Sequence, residues 1–148
     1  MKSAKHSISQ NELLVLRELR MNSRQSLSEI SRKTSIPLTT VFDKVRKLEN
    51  TLIIKHVSFL DYSKLGFNIK VAIFVKANKK EELRKFLQGH KNVNSLHRIS
   101  SNYDYFIEAV FRNMSELYGF LGDIEKFDIK EINHYYVENI KEEEMLLY

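Results

Sequence analysis

Apolar residues recur at helical spacing through the first fifty positions of the chain. Ser9-Gln10-Asn11-Glu12 has the S-x-x-E order of a capping box, and Leu13, Leu16 and Leu19 follow on one side. Together they predict a helix from Ser9 to about Met21. After the polar stretch 22–25, a second box, Ser26-Leu27-Ser28-Glu29, opens a short helix with Leu27 and Ile30 inward, ending near Thr34. Pro37 stands where a first helical turn tolerates proline. Leu38, Val41, Val45 and Leu48 then form one buried stripe of a third helix ending near Asn50. Three short helices with a tight second turn predict a helix-turn-helix.

The pattern changes after that helix. Residues 52–61 are rich in branched and aromatic side chains and read as one or two short strands, a wing or a connecting strand. Ile69, Val71, Ile73 and Val75 alternate with Lys70, Ala72, Phe74 and Lys76, the period of a strand. A helix over Glu81 to Gly89, strands over Val93 to Ser100 and Tyr105 to Phe111, a helix from Asn113 with Leu117, Phe120, Leu121 and Ile124 inward, and a strand over Glu131 to Asn139 complete the chain. The order is βαββαβ, the ferredoxin-like split unit with two helices on one face of a four-stranded antiparallel sheet. Two helices cover one face only, so Ala72, Phe74, Tyr135, Tyr136 and Val137 include apolar side chains turned outward, which favours a dimer. The predicted fold class is α+β, a winged helix-turn-helix over 1–60 followed by a βαββαβ oligomerisation or effector domain over 61–148.

Charge sharpens that division. The 148 residues carry a net charge of +5, but residues 1–60 hold eleven Lys or Arg against five Asp or Glu, and residues 61–148 hold thirteen against fourteen. A basic front half joined to a near-neutral back half points to a polyanion-binding module attached to something else. The chain has no cysteine, which excludes disulfides, thiolate nucleophiles and Cys-based zinc sites. His6, His56, His90, His97 and His134 show no metal-ligand spacing, and no H-E-x-x-H, G-x-S-x-G or phosphate-loop motif occurs. The expectation is a protein without catalytic residues, metal or cofactor. No apolar run approaches the ~20 residues of a membrane span, and a cytoplasmic location is expected.

Three stretches in this order, LSEISRKTSIPLTTVFDKVRKLE from Leu27 to Glu49, LDYSKLGF from Leu60 to Phe67 and SNYDYFIEAVF from Ser101 to Phe111, give the chain its resemblance to a known family. From Asn11 to Glu138 it looks like the leucine-responsive regulatory proteins, the Lrp/AsnC or feast/famine transcription regulators. That resemblance implies a double-stranded DNA-binding regulator, a homodimer that can go on to tetramers or octamers, and an amino acid or other small effector. Three positions depart from the family pattern. Leu52 replaces a glycine after the recognition helix, so the bend is made without a free positive φ. Pro37 replaces a serine cap. Ser101-Asn102-Tyr103-Asp104 keeps only the aspartate of a Gly-x-x-Asp sensory turn.

On the third helix Thr40, Asp43, Lys44 and Lys47 fall within about a 100° arc opposite the Val41, Val45, Leu48 stripe, with Thr39 beside it. Lysine can donate to guanine, threonine can touch a thymine methyl or a phosphate, and Asp43 can accept from cytosine; Arg46 lies off the arc and reaches backbone more naturally. A merely solvated helix face is the alternative. Arg24, Arg32, Lys55 and His56 are further phosphate candidates, and Lys2, Lys5 and His6 form either a basic arm or a frayed end. At the sensory turn the resemblance implies an effector near Ser101, Asn102 and Asp104. The aspartate would face an ammonium and the two backbone N–H groups a carboxylate; a plain turn cap is the alternative for Asp104. Two other readings stay open: an adaptor whose sheet domain only oligomerises, with generic DNA binding, and an enzyme like the sirohaem decarboxylases, which resemble the same architecture. In the latter, adjacent His97 and Arg98 would point to opposite faces of a strand. The tail from Glu142 to Tyr148, acidic then apolar, either docks on a neighbouring subunit or frays.

Overall fold

A computed structural model describes residues 8–100 and 102–138. Lys2, Lys5, His6, Ser101, Asn139 and the tail from Glu142 lie outside the described residues. The chain divides into two units between Phe59 and Leu60.

The first unit begins with α1 (Gln10–Met21) and α2 (Leu27–Thr34), and both open as their capping boxes predict. Ser9 Oγ accepts the Glu12 N–H while Glu12 Oε2 accepts the Ser9 N–H at 2.8 Å. Ser26 and Glu29 repeat the exchange. These reciprocal bonds satisfy two of the donors that every helix start leaves open. α2 stops at Ser35, which adopts a left-handed φ of 57°, and the Ser31 hydroxyl donates to the Ile36 carbonyl across the turn. α3 (Leu38–Thr51) follows at once; Pro37 is its N-cap and supplies no side-chain hydrogen bond.

Val15, Leu16, Leu19, Ile30, Ile36, Val41 and Leu48 form the core of this unit. Two stripe expectations need correction. Leu38, the first residue of α3, is 47% exposed and stands outside the apolar cluster that holds Val41 and Leu48. In α1 the fully buried apolar side chain is Val15, with Leu13 only half-buried. Leu52 ends α3 at φ −125°, and its N–H and that of Ile53 both bond the Leu48 carbonyl. The bend is thus made without a left-handed residue, as the glycine replacement requires. Residues 53–61 form no strand, contrary to expectation. A strand needs a neighbour for its N–H and C=O groups, and none of the described strands pairs there; Ile54 is 96% exposed.

In the second unit, a short 3₁₀ turn (Tyr62–Leu65) ends at Gly66, whose φ of 82° is a conformation glycine adopts without cost. The elements then run β1 (Ile69–Ala77), α4 (Lys80–Gly89), β2 (Val93–Arg98), β3 (Tyr105–Phe111), α5 (Met114–Glu125) and β4 (Ile129–Tyr136). All neighbours are antiparallel, in the order β2-β3-β1-β4, which is the split βαββαβ arrangement. β4 begins two residues earlier than the sequence pattern placed it and ends at Tyr136. Asp128, at a left-handed φ of 57°, turns the chain so that Ile129 pairs with Ala77.

Alternation decides what each face does. Val71, Ile73 and Val75 of β1 and Ile107 and Ala109 of β3 are fully buried, together with Leu83, Leu87, Leu117 and Ile124 of the two helices. The opposite face carries an aromatic group. Phe74 packs at a tilt against Phe106 at 5.1 Å and Tyr103 at 5.7 Å and edge-on against Tyr135 at 6.1 Å, and His97 stacks on Phe106 at 5.7 Å.

Candidate nucleic-acid interface and sensory turn

The left-handed Ser35 and the Ser31 hydroxyl bond to the Ile36 carbonyl set the tight turn between α2 and α3. Thr39, Asp43 and Arg46 are exposed on α3, and Thr40 is half-buried. Lys47 is exposed and Lys44 half-buried, as the helical arc suggested for the outer side of α3, but both side chains bend toward α1. Both ammonium groups converge on Glu12 Oε1, Lys47 at 2.7 Å and Lys44 at 3.3 Å. Lys44 lies only about 60° around the helix from Val41 and so flanks the buried stripe, while Lys47, about 100° from Leu48, reaches Glu12 by the length of its side chain. Glu12 itself is 1% exposed. The Lys47 ammonium, then the Ser9 N–H, with smaller help from Lys44, overcome the cost of burial and hold its carboxyl down at about 2.

Two residues of this surface escaped sequence reasoning. Glu12 was legible as a helix cap but not as the anchor of α3. The signal was an acid on the α1 stripe facing a helix with lysines three residues apart. Phe42, 49% exposed on the outer side of α3, is the other; it falls off the apolar stripe, and that displacement marks it. Nearby, His56 meets Glu49 at 3.2 Å, and Lys33 meets Glu18 at 3.3 Å.

In the second unit the turn between β2 and β3 is anchored on β1. The Asp104 N–H donates to the Val75 carbonyl, and the Ile99 N–H donates to the Asp104 carbonyl. The Asp104 carboxylate accepts the Ala77 N–H at 3.1 Å and pairs with Lys80 at the start of α4. Burial pushes this carboxyl upward, but Lys80 and the Ala77 N–H outweigh it and hold it below the usual aspartate range. Lys80, Glu81, Arg98, Ile99, Asp104 and Tyr105 line a half-open cavity of about 330 Å³. Asn102, two residues before Asp104, is exposed and is not part of that lining. Arg98 reaches Glu81 at 3.4 Å, so the cavity carries two cations and two anions. Among the described residues no cluster of His, Asp or Glu is placed to hold a metal ion, and no helix is long and apolar enough to cross a membrane.

A helix-turn-helix with an exposed third helix, joined to a split βαββαβ unit with a polar cavity at its β2–β3 turn, defines a DNA-binding regulator with a sensory module. The comparisons with known proteins agree. Residues 8–55 match the winged helix-turn-helix DNA-binding family, and residues 70–146 match the Lrp/AsnC ligand binding domain. The chain belongs to the Lrp/AsnC family of transcription regulators. It is 30% identical to a helix-turn-helix-type transcriptional regulator of Pyrococcus abyssi over 90% of this chain and 94% of that protein. It is 26% identical to LrpB of Bacillus subtilis, over 88% and 94%. In fold it resembles a Neisseria meningitidis transcriptional regulator solved with L-methionine, with TM-score 0.86, 16% identity and coverage of 96% and 97%. AsnC of E. coli is similar too, with TM-score 0.83, 17% identity and coverage of 96% and 100%.

Proposed function

We propose that this regulator works by binding alone, as a homodimer that reads duplex DNA with two α3 helices and answers an amino-acid effector at the β2–β3 turn. The observation that carries the reading is the exposed strip Thr39, Asp43 and Arg46 on the third helix of a helix-turn-helix, in the half of the chain that holds the positive charge. Thr40, Lys44 and Lys47 border that strip. In the major groove threonine meets thymine methyls or phosphates, Asp43 accepts from cytosine N4, and Arg46 donates to the backbone. Phe42 adds an apolar contact suited to a thymine methyl.

The aromatic sheet face built around Phe74, Phe106 and Tyr135 supports a second copy as the covering partner. A twofold pair would place recognition helices on half-sites one helical turn, or a multiple of it, apart. The effector class follows the methionine found with the Neisseria relative. In this chain an incoming ammonium would share Asp104 with Lys80, and Lys80 and Arg98 offer cations to a carboxylate.

Selection of bound sequences from a random duplex pool by the purified chain tests the reading. A recurrent, roughly palindromic motif is expected, with affinity falling steeply with salt. Enrichment of nothing, with weak binding indifferent to sequence, would instead support an oligomeric adaptor with generic DNA affinity.

A further inference from the structure

We propose that Glu12 is a positioning residue for DNA recognition: its buried carboxylate holds the ammonium groups of Lys44 and Lys47 against α1, and so sets which cations of α3 reach the duplex. The inference rests on α3 being the recognition helix and goes further, because it takes two residues that a helical wheel assigns to the groove and gives them to the domain.

The carboxylate is fully partnered, and its two oxygens are divided. Oε2 accepts the Ser9 N–H at 2.8 Å and closes the capping box of α1. Oε1 receives Lys47 at 2.7 Å and Lys44 at 3.3 Å. Glu12 is 1% exposed, whereas the side chains of Lys44 and Lys47 are 27% and 47% exposed, so the acid depends on cations that keep one side toward solvent. Withdrawing both lysines toward phosphate would leave a buried carboxylate uncompensated, which is far costlier than losing a surface pair. Lys47, at the shorter distance, is held the harder of the two. Arg46 points away from Glu12, is exposed, and makes no ion pair among the described residues. It is the cation that α3 offers to DNA without penalty.

Charge economy of this kind favours discrimination. Phosphate contacts strengthen binding to every sequence alike, whereas contacts from Thr39, Phe42 and Asp43 depend on the bases. Holding two lysines back lowers the first contribution and leaves the second.

The salt dependence of binding, measured on the full-length chain with a selected duplex and with a random one, tests the assignment. Each phosphate neutralised adds about 0.9 to the logarithmic slope. Lys44→Gln and Lys47→Gln, whose amides can still donate to Glu12, should leave the slope unchanged, and Arg46→Ala should lower it by about 0.9. Glu12→Gln retains a residue type that serves in capping boxes but releases both lysines. Its slope should steepen by up to about 1.8, with random duplex bound more tightly and the preference for the selected sequence reduced. A fall of about 0.9 for either lysine variant overturns the proposal while leaving the recognition helix in place. So does a Glu12→Gln chain that binds more weakly at an unchanged slope, since that is the outcome for an acid with only a structural role. A parent chain that binds without salt dependence overturns the recognition-helix reading itself, and this inference with it.

Discussion

Each unit sets a carboxylate against lysine, and the two arrangements differ in depth and in stoichiometry. Glu12 is sealed under α3 with two ammonium groups on one oxygen. Asp104 keeps a side chain 17% exposed, has one lysine, and uses a β1 backbone N–H as its second partner. The first acid is held low mainly by a lysine; for the second, burial is the largest single influence and acts in the opposite direction. A buried acid with surplus cations behaves as part of the scaffold. An acid at the mouth of a cavity, with one exchangeable cation, is open to competition from a ligand.

The largest expected effect comes from removing the Glu12 charge. Glu12→Gln should destabilise the first unit by roughly 1–3 kcal/mol near neutral pH, less than a fully buried pair would lose because both lysines can rehydrate. The sign of the pH dependence follows from the lowered carboxyl. A group held at about 2 in the fold and at about 4.5 when unfolded contributes stability that is fully present above about 4.5 and lost as the pH falls through about 2. Urea unfolding of parent and variant should therefore show a gap that is constant at higher pH and closes across that window. A gap that persists unchanged to the acid end would mean that shape, not charge, is what Glu12 contributes.

Asp104→Asn should cost less, about 1 kcal/mol or below, because its lysine partner is more than half exposed. Whatever it contributes is present above the ordinary aspartate range and disappears as the pH drops below it, since its carboxyl is held low in the fold. Its main effect should fall on regulation. The variant should form the same assembly as the parent by sedimentation yet lose the effector's influence on DNA binding. A variant that responds normally would remove Asp104 from the sensory site and make it a turn anchor alone, which the Asp104 N–H bond to Val75 already makes it in part.

The contrast between the two acids was only half legible in the sequence. The elements themselves were readable because their signals are local. The S-x-x-E boxes at Ser9 and Ser26 fix helix starts through bonds three residues apart, and the alternation through β1 separates the two faces of the sheet. The partners of Glu12 and Asp104 were not readable, since Lys47 lies 35 positions from Glu12 and Lys80 lies 24 from Asp104. A helical wheel reports direction around one helix and is blind to which neighbour waits there. The same limit explains the residues after Leu52: their composition suits a strand, but pairing depends on a neighbour that composition does not reveal.

The smallest effect sharpens the comparison from the other end of α3. This helix starts at Pro37 with no side-chain cap and has no acid in its first turn. Its placement therefore depends on the packing of Val41 and Leu48 and on the Glu12 contact near its middle. Pro37→Ser would supply the missing acceptor and should raise stability by about 0.5–1 kcal/mol, part of which is offset by the freer unfolded chain that serine allows. The informative measurement is the same substitution in the Glu12→Gln background. Equal gains in both backgrounds would mean that cap and clamp act independently. A larger gain without Glu12 would mean that the buried acid fixes the helix which its own first turn leaves unsecured, and that stability and cation placement in this unit are set by one side chain.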